Sequence, residues 1–265
     1  MPKLLGCLLM AFCAWSQALE LRGELTQGTL LRGQVLPNSK VWLNDKVVKV
    51  SPEGQFVIGF GRDAALEHQL VVQSGNHKTQ HPIKLKAREY PIQKVDGVEQ
   101  KYVSPPDSVL KRIEEDNRQI AKARAKDTEL MGFWQDFSWP AKGKISGVYG
   151  SQRIFNGVPK RPHYGLDVAG PVGTPVYAPA DGVVSLFVAD MYYSGGTLIL
   201  DHGFGVSSTF IHLSKGHVKA GQKVKQGQLI AEIGATGRVT GPHLDWRINW
   251  FDERLDPALL VPANP

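Results

Sequence analysis

Cysteine is nearly absent. Of 265 residues only Cys7 and Cys13 carry thiols, and both lie within the first 18. No disulfide can brace residues 19–265, even in an oxidising compartment. Stability there must come from packing and, locally, from a metal. A long apolar run is also missing. The stretch from Leu4 to Trp15 is too short to span a bilayer. With Lys3 before it and Ser16-Gln17-Ala18 after it, the pattern is that of a secretory signal peptide over residues 1–18, cut after Ala18. Phe12 is too bulky for a lipoprotein cleavage site at Cys13, so no stable membrane anchor is expected. Residues 1–18 contain no Asp or Glu, and the net charge of +6 loses only Lys3 on cleavage. Lys and Arg are nowhere interleaved with aromatics in a cluster, which argues against nucleic acid. An exported, mildly basic protein, periplasmic or secreted, suits an anionic partner such as cell wall.

The composition present is that of a globular chain, 42% hydrophobic and 21% charged. Its length allows about two domains. Residues 19–87 read as short strands separated by turns: Gln34–Leu36, Lys40–Leu43, Lys46–Val50, Gln55–Ile58, His68–Ser74 and Ile83–Lys86. This predicts a small β-sandwich, and the stretch from Val41 to Phe56 resembles bacterial immunoglobulin-like modules. His77 and His81 stand among turn and strand signals, where they are exposed hairpin residues and not a helical metal pair. Residues 88–135 form a linker containing an exposed helix over 107–130. Ser104-Pro105-Pro106-Asp107 starts it, and Asp107/Lys111 and Glu114/Arg118 support it. Such a helix could serve a protein partner. Phe133, Trp134, Phe137 and Trp139 then seat the next domain. A sandwich on a long linker could also reach back and limit access to that domain.

From residue 136 to 265 glycine and proline are frequent and helix signals few. Strands are predicted at Pro175–Tyr177, Gly182–Val188, Thr197–Leu200, Val206–Ile211, Leu229–Ile233 and His243–Trp250, giving a compact antiparallel β domain. The overall class is mainly all-β. The last strand alternates strictly, with Leu244, Trp246, Ile248 and Trp250 on one side. His243, Asp245, Arg247 and Asn249 share the other. A polar row of this kind is costly to bury unless paired or liganded. His163, Asp167, His212, His243 and Asp245 have the types and number that a hydrolytic zinc site needs. His202 reads as a turn residue, and His217 as an exposed loop residue. Tyr149, Tyr164, Tyr192 and Tyr193 are candidates to line the ends of the cleft.

Residues from about 138 to 258 resemble the LytM/lysostaphin-type M23 metallopeptidases. The resemblance is carried by Gly147-Val148-Tyr149-Gly150 with Arg153, His163-Tyr164-Gly165-Leu166-Asp167, Pro175 to Gly182, Asp201-His202-Gly203, and His212-Leu213-Ser214. Gly234-Ala235-Thr236-Gly237, Gly241-Pro242-His243-Leu244 and Asp256-Pro257 complete it. It implies a zinc metalloendopeptidase acting on peptidoglycan cross-links. Under it His163 and Asp167 are metal ligands, and His212 and His243 are the catalytic histidines. One departure matters. The family pattern ends His-x-His, whereas this chain has Asp245 in the second place. Carboxylate oxygen binds zinc, so His163, Asp167 and Asp245 remain a workable ligand set for one ion. The added oxygen admits other divalent metals, manganese among them. The competing reading pairs Asp245 with Arg247 and leaves a weak or inactive LytM-like protein that binds the wall and regulates other hydrolases.

Overall fold

The computed structural model describes residues 19–97 and 105–263. Residues 1–18, with both cysteines and the expected signal peptide, and Ser104 at the expected helix start lie outside the described residues. The N-terminal part is two antiparallel sheets packed face to face. One has the spatial order Glu20–Arg22, Leu30–Gln34, Gln55–Gly59, and the other Lys46–Val48, Lys40–Leu43, Glu67–Ser74, His77–Lys84. Alternation sends Leu31, Val41, Phe56, Ile58, Leu70 and Val72 into one core. Asn44 and Asp45 take φ of 47° and 66°, the left-handed pair that closes a two-residue hairpin. Three strands differ from expectation: Glu20–Arg22 is not among the predicted ones, Leu30–Gln34 lies ahead of the predicted Gln34–Leu36, and the last strand is longer than Ile83–Lys86. Leu36 is already in a turn, because Asn38 adopts φ 64° and Ser39 N–H bonds back to the Leu36 carbonyl. The final strand begins at His77, with Ser74 opposite it across the tight turn. Its polar, exposed face hid its length.

The linker is partly strand. Ile92–Val95 pairs in parallel with Gln152–Phe155. The two halves share contacts at several points. Arg88 pairs with Asp256 at 2.9 Å, and the Asp256 N–H donates to the Gly28 carbonyl at 2.7 Å. Gly59 has no room for a side chain, since a Cβ there would sit 2.9 Å from Trp250. Tyr149 belongs to this seam and not to a cleft. It is buried, donates its hydroxyl to the Arg254 carbonyl at 2.6 Å, and meets Tyr90 edge-on.

The C-terminal half is built on a ten-stranded sheet. Its main path runs Lys223–Val224, Gly182–Met191, Gly195–Gly203, Val206–Gly216, His243–Trp250, Leu166–Ala169, Lys144–Gly147. Leu244, Trp246 and Ile248 are fully buried with Phe210, Leu198 and Leu200. Burial on this scale, with several large side chains removed from water, is the main stabilising term of the half. The aromatic run seats here. Phe133 packs on Phe204 at 4.5 Å, Phe137 on His202 at 5.0 Å, and Trp139 on Trp246 at 6.3 Å.

The linker helix spans Leu110–Arg124 after a 3-10 turn at Asp107–Val109, and so ends before residue 130. Its few apolar residues suggest a free helix, but polar contacts fasten it. Arg112 bonds the Asp190 carboxylate at 2.7 Å, and Asp116 accepts from the Tyr192 N–H at 2.8 Å. Beyond Arg124 the chain is held extended by Lys49, which bonds Asp127, and by Thr128, which donates to Asp201. Among the described residues no helix is long and apolar enough to cross a membrane.

Candidate metal centre

The site arises from strand register. Asp245 lies directly opposite Asp167 on one neighbouring strand and opposite Ile211 on the other. His212 is the next residue after Ile211. Two carboxylates facing each other across a ladder repel, and both are buried, at 5% and 1% exposure. Something positive must sit between or beside them. Two glycines make the crowding possible. A Cβ at Gly147 would lie 2.1 Å from Asp167 Oδ2, and one at Gly165 would lie 2.0 Å from Asp245 Oδ1. Gly147 and Gly165, one from each motif, are therefore cradle residues for the two carboxylates.

His163, Asp167 and Asp245 converge, each offering one ligand atom, with all of these atoms within 4.8 Å of one another. His163 Nε2 is 3.1 Å from Asp167 Oδ1. That is close to the separation of two ligands on one tetrahedral ion with bonds of about 2.0–2.1 Å. His163 is buried, and neither ring nitrogen has a hydrogen-bond partner. An unbonded buried imidazole is costly. A divalent ion would satisfy it, so the donor set fits a metal.

Asp245 is more than a waiting ligand. Arg247 grips it in a bidentate fork, Nε to Oδ1 at 2.9 Å and Nη2 to Oδ2 at 2.6 Å. Burial by itself would raise the Asp245 carboxyl, but Arg247 and then His163 outweigh it and hold the group far below the usual carboxylate range. The fork leaves each oxygen with a further lone pair. The pairing with Arg247 and the convergence with His163 and Asp167 thus coexist in one arrangement.

The two remaining histidines stand together, ring centroids 4.9 Å apart. His212 Nδ1 bonds the Thr236 carbonyl and His243 Nδ1 the Gly241 carbonyl, each at 2.8 Å. A carbonyl can only accept, so both Nδ1 atoms carry the proton and both Nε2 atoms are left as acceptors. His243 Nε2 is 3.8 Å from Asp167 Oδ1. His212 has φ 66°, and the ladder with the preceding strand shifts register beside it. Such a bulge re-aims a side chain. Burial pushes the His212 imidazole down to about 4, with Asp245 opposing that shift and His243 adding to it.

His202 is a core residue in the Gly195–Gly203 strand. It is fully buried, donates Nδ1–H to the Asp181 carbonyl at 2.7 Å, and accepts from Ser208 at 2.8 Å. Burial lowers it too, to about 4. His217 pairs with Glu232 at 2.7 Å away from the site, and His77 and His81 are surface residues of the sandwich. His202 and His212 give the fold an acid limit. The unfolded chain protonates them near pH 6.5, the fold only near pH 4, so the unfolded state binds more protons in between. Stability falls as pH falls across that window, by about 1.4 kcal/mol per unit for each histidine. Urea unfolding in chelator is expected to show a loss of roughly 4 kcal/mol between about pH 7 and pH 5. A flat profile there would contradict the neutral burial of both rings.

The near wall of the cleft is the linker helix. Ile113, Asp116, Asn117 and Ile120 line a cavity of about 140 Å³ together with His212, Asp245 and Arg247. Among the described residues, loop residues 61–64 of the sandwich line a neighbouring cavity with Arg161, Tyr164, Asp252, Glu253 and Arg254. Of the four tyrosines expected at the cleft ends, Tyr164 and Tyr193 line the adjoining cavity. Tyr192 supports the helix. No motif in the sequence marks Arg161, Arg238 and Arg254, which gather here from distant segments. Arg247 stands out in the sequence only as a rival to the metal for Asp245.

Residues 161–257 match the model of Peptidase family M23. Peptidoglycan DD-endopeptidase ShyA of Vibrio cholerae is 43% identical over 121 residues, which are 45% of this chain and 28% of that protein. ShyB, also a peptidoglycan DD-endopeptidase of that organism by name, is 47% identical over 87 residues, 33% of this chain and 20% of the relative. The chain therefore spans only a minor part of these relatives. A crystal structure described as an M23 peptidase from Pseudomonas aeruginosa superposes with a TM-score of 0.70 at 29% identity. That match covers 89% of this chain and 95% of the other.

Proposed function

Residues 161–257 form a peptidase family M23 domain, and on that premise we propose that the protein is a metal-dependent endopeptidase cutting the peptide cross-links of bacterial peptidoglycan. The observation that carries this reading is the buried, unbonded His163 beside Asp167 and Asp245. These three would hold one ion, Zn²⁺ or another divalent metal. Bound there, it would supply Lewis-acid polarisation of the scissile carbonyl and make water acidic enough to be deprotonated near neutral pH. The chain's own residues do the rest. His212 stays neutral down to about pH 4, so its Nε2 can take a proton from the attacking water. His243, held by the Gly241 carbonyl, offers a second Nε2 that, once protonated, would donate to the developing oxyanion or pass its proton to the leaving amine. Arg247 draws electron density from Asp245, and so offsets part of the charge that a second carboxylate would donate to the ion. The names of the relatives support peptidoglycan as substrate, and the export signal read in residues 1–18 supports a periplasmic or secreted site of action.

A second reading has its own observation. Both Asp245 oxygens are engaged by Arg247, and the helix walls the cleft. These features also suit a weakly active or inactive wall-binding regulator that presents the helix to another protein. The deciding experiment incubates the mature protein with purified peptidoglycan, with and without chelator and added Zn²⁺ or Mn²⁺, and resolves the released muropeptides. Metal-dependent loss of cross-linked dimers is expected. No cleaved dimer at any metal supplied would leave the regulator.

A further inference from the structure

We propose that the cavity of about 440 Å³ beside His163 is a carboxylate-binding subsite that selects acidic peptides; this rests on the endopeptidase reading and deepens it. Its charged lining is entirely cationic: Lys160, Arg161, Arg238, Arg247 and Arg254, with His163 at the inner end and no Asp or Glu. Arg247 spends its fork on Asp245. Among the described residues neither Arg161 nor Arg254 forms an ion pair with a carboxylate.

The guanidiniums are also held in place. Arg254 lies over the Tyr164 ring at 4.4 Å, and Arg238 over Tyr193 at 4.6 Å and Phe155 at 5.0 Å. A stacked guanidinium loses little further freedom when it takes a carboxylate in its planar fork. The crowding has a cost of its own. Burial, then Arg247, and further Arg161 push Arg254 below its ordinary value. A bound anion would relieve it. A peptide reaching from the candidate metal centre passes His163 and Arg247 and meets this wall next, so a free side-chain or terminal carboxylate near the scissile bond is the fitting occupant. The wall peptides of a substrate with amidated carboxyls would lose that contact.

The test uses the mature protein in chelator, so that nothing is hydrolysed. Two synthetic peptides of alanine and glutamate are compared by calorimetry, identical except that one has free carboxyls and the other has all of them amidated. The free form is expected to bind about tenfold tighter or more, the weight of a charge-assisted contact, and the gap is expected to shrink with added salt. Arg161→Gln, at an exposed position, should narrow the gap without disturbing the fold. Arg161→Gln with Arg254→Gln should close it, while Zn²⁺ affinity measured separately stays unchanged. Equal binding of the two peptides, or a gap that survives both substitutions, would overturn the proposal. Inorganic phosphate displacing the acidic peptide at equal concentration would also overturn it, as a general anion site. If the gap is found but peptidoglycan is not cleaved, the endopeptidase reading fails and the subsite stands. Cleavage without any gap gives the reverse.

Discussion

His212→Ala is expected to lower the rate of cross-link cleavage by about 10²- to 10⁴-fold, the usual weight of a positioned general base, while leaving Zn²⁺ affinity nearly unchanged. The ring is anchored by its Nδ1–H to Thr236, so only Nε2 is available for proton transfer. It sits at a backbone bulge with φ 66°, an arrangement alanine can enter only with strain. His212→Asn, which tolerates the left-handed backbone better, therefore serves as the control for folding. The pH profile separates a base from a merely structural residue. Burial holds the imidazole near 4, so the acid limb of kcat/KM in the native enzyme should fall well below the ordinary histidine value of about 6.5. A variant that lost metal along with activity would place His212 among the supports of the ligands instead. A variant that cleaved at the native rate would remove it from the mechanism.

What could be read from the chain beforehand was what repeats over a few residues. The alternation of His243–Trp250 located a strand whose apolar half is core, and the spacing of His163 and Asp167 marked a bent approach to it. The sandwich strands showed wherever turn residues bracket them, as at Asn44-Asp45. The His77–Lys84 strand shows only in part in the sequence, because its outward side is polar and carries no period. Tyr149 departs from its expected place for a different reason. Its motif surrounds the cleft in sequence, yet its ring turns into the seam between the two halves, where Tyr90 and the Arg254 carbonyl receive it. The linker helix looked free because its hold on the domain is polar, through Arg112 and Asp116, and leaves no apolar stripe to find. The cationic wall was invisible for the same kind of reason. Arg161 and Arg238 come from two loops and Arg254 from the short Glu253–Leu255 strand, and the fold alone brings them to one cavity.

Arg247→Gln should have the largest effect on the metal. In the absence of an ion the guanidinium is the counter-charge for Asp245, which is 1% exposed and faces Asp167 across the ladder. Removing it leaves two buried carboxylates without that partner, and the ion-free protein should lose about 3–5 kcal/mol in urea unfolding. An ion would then take over the role. Freed from a fork whose bonds contribute about 1.5–3 kcal/mol each, Asp245 should bind Zn²⁺ about tenfold more tightly or better, so added metal restores more stability in the variant than in the native chain. Asp245→His is best made together with this change, because alone it would set an imidazole against an unpaired Arg247. A competition titration with a chromophoric chelator reads the affinity directly. If Arg247→Gln loses stability but gains no affinity, Asp245 serves the arginine alone, and the ion is left with His163 and Asp167. A two-ligand site of that kind would hold metal weakly, and the wall-binding regulator would then be the better account of this chain.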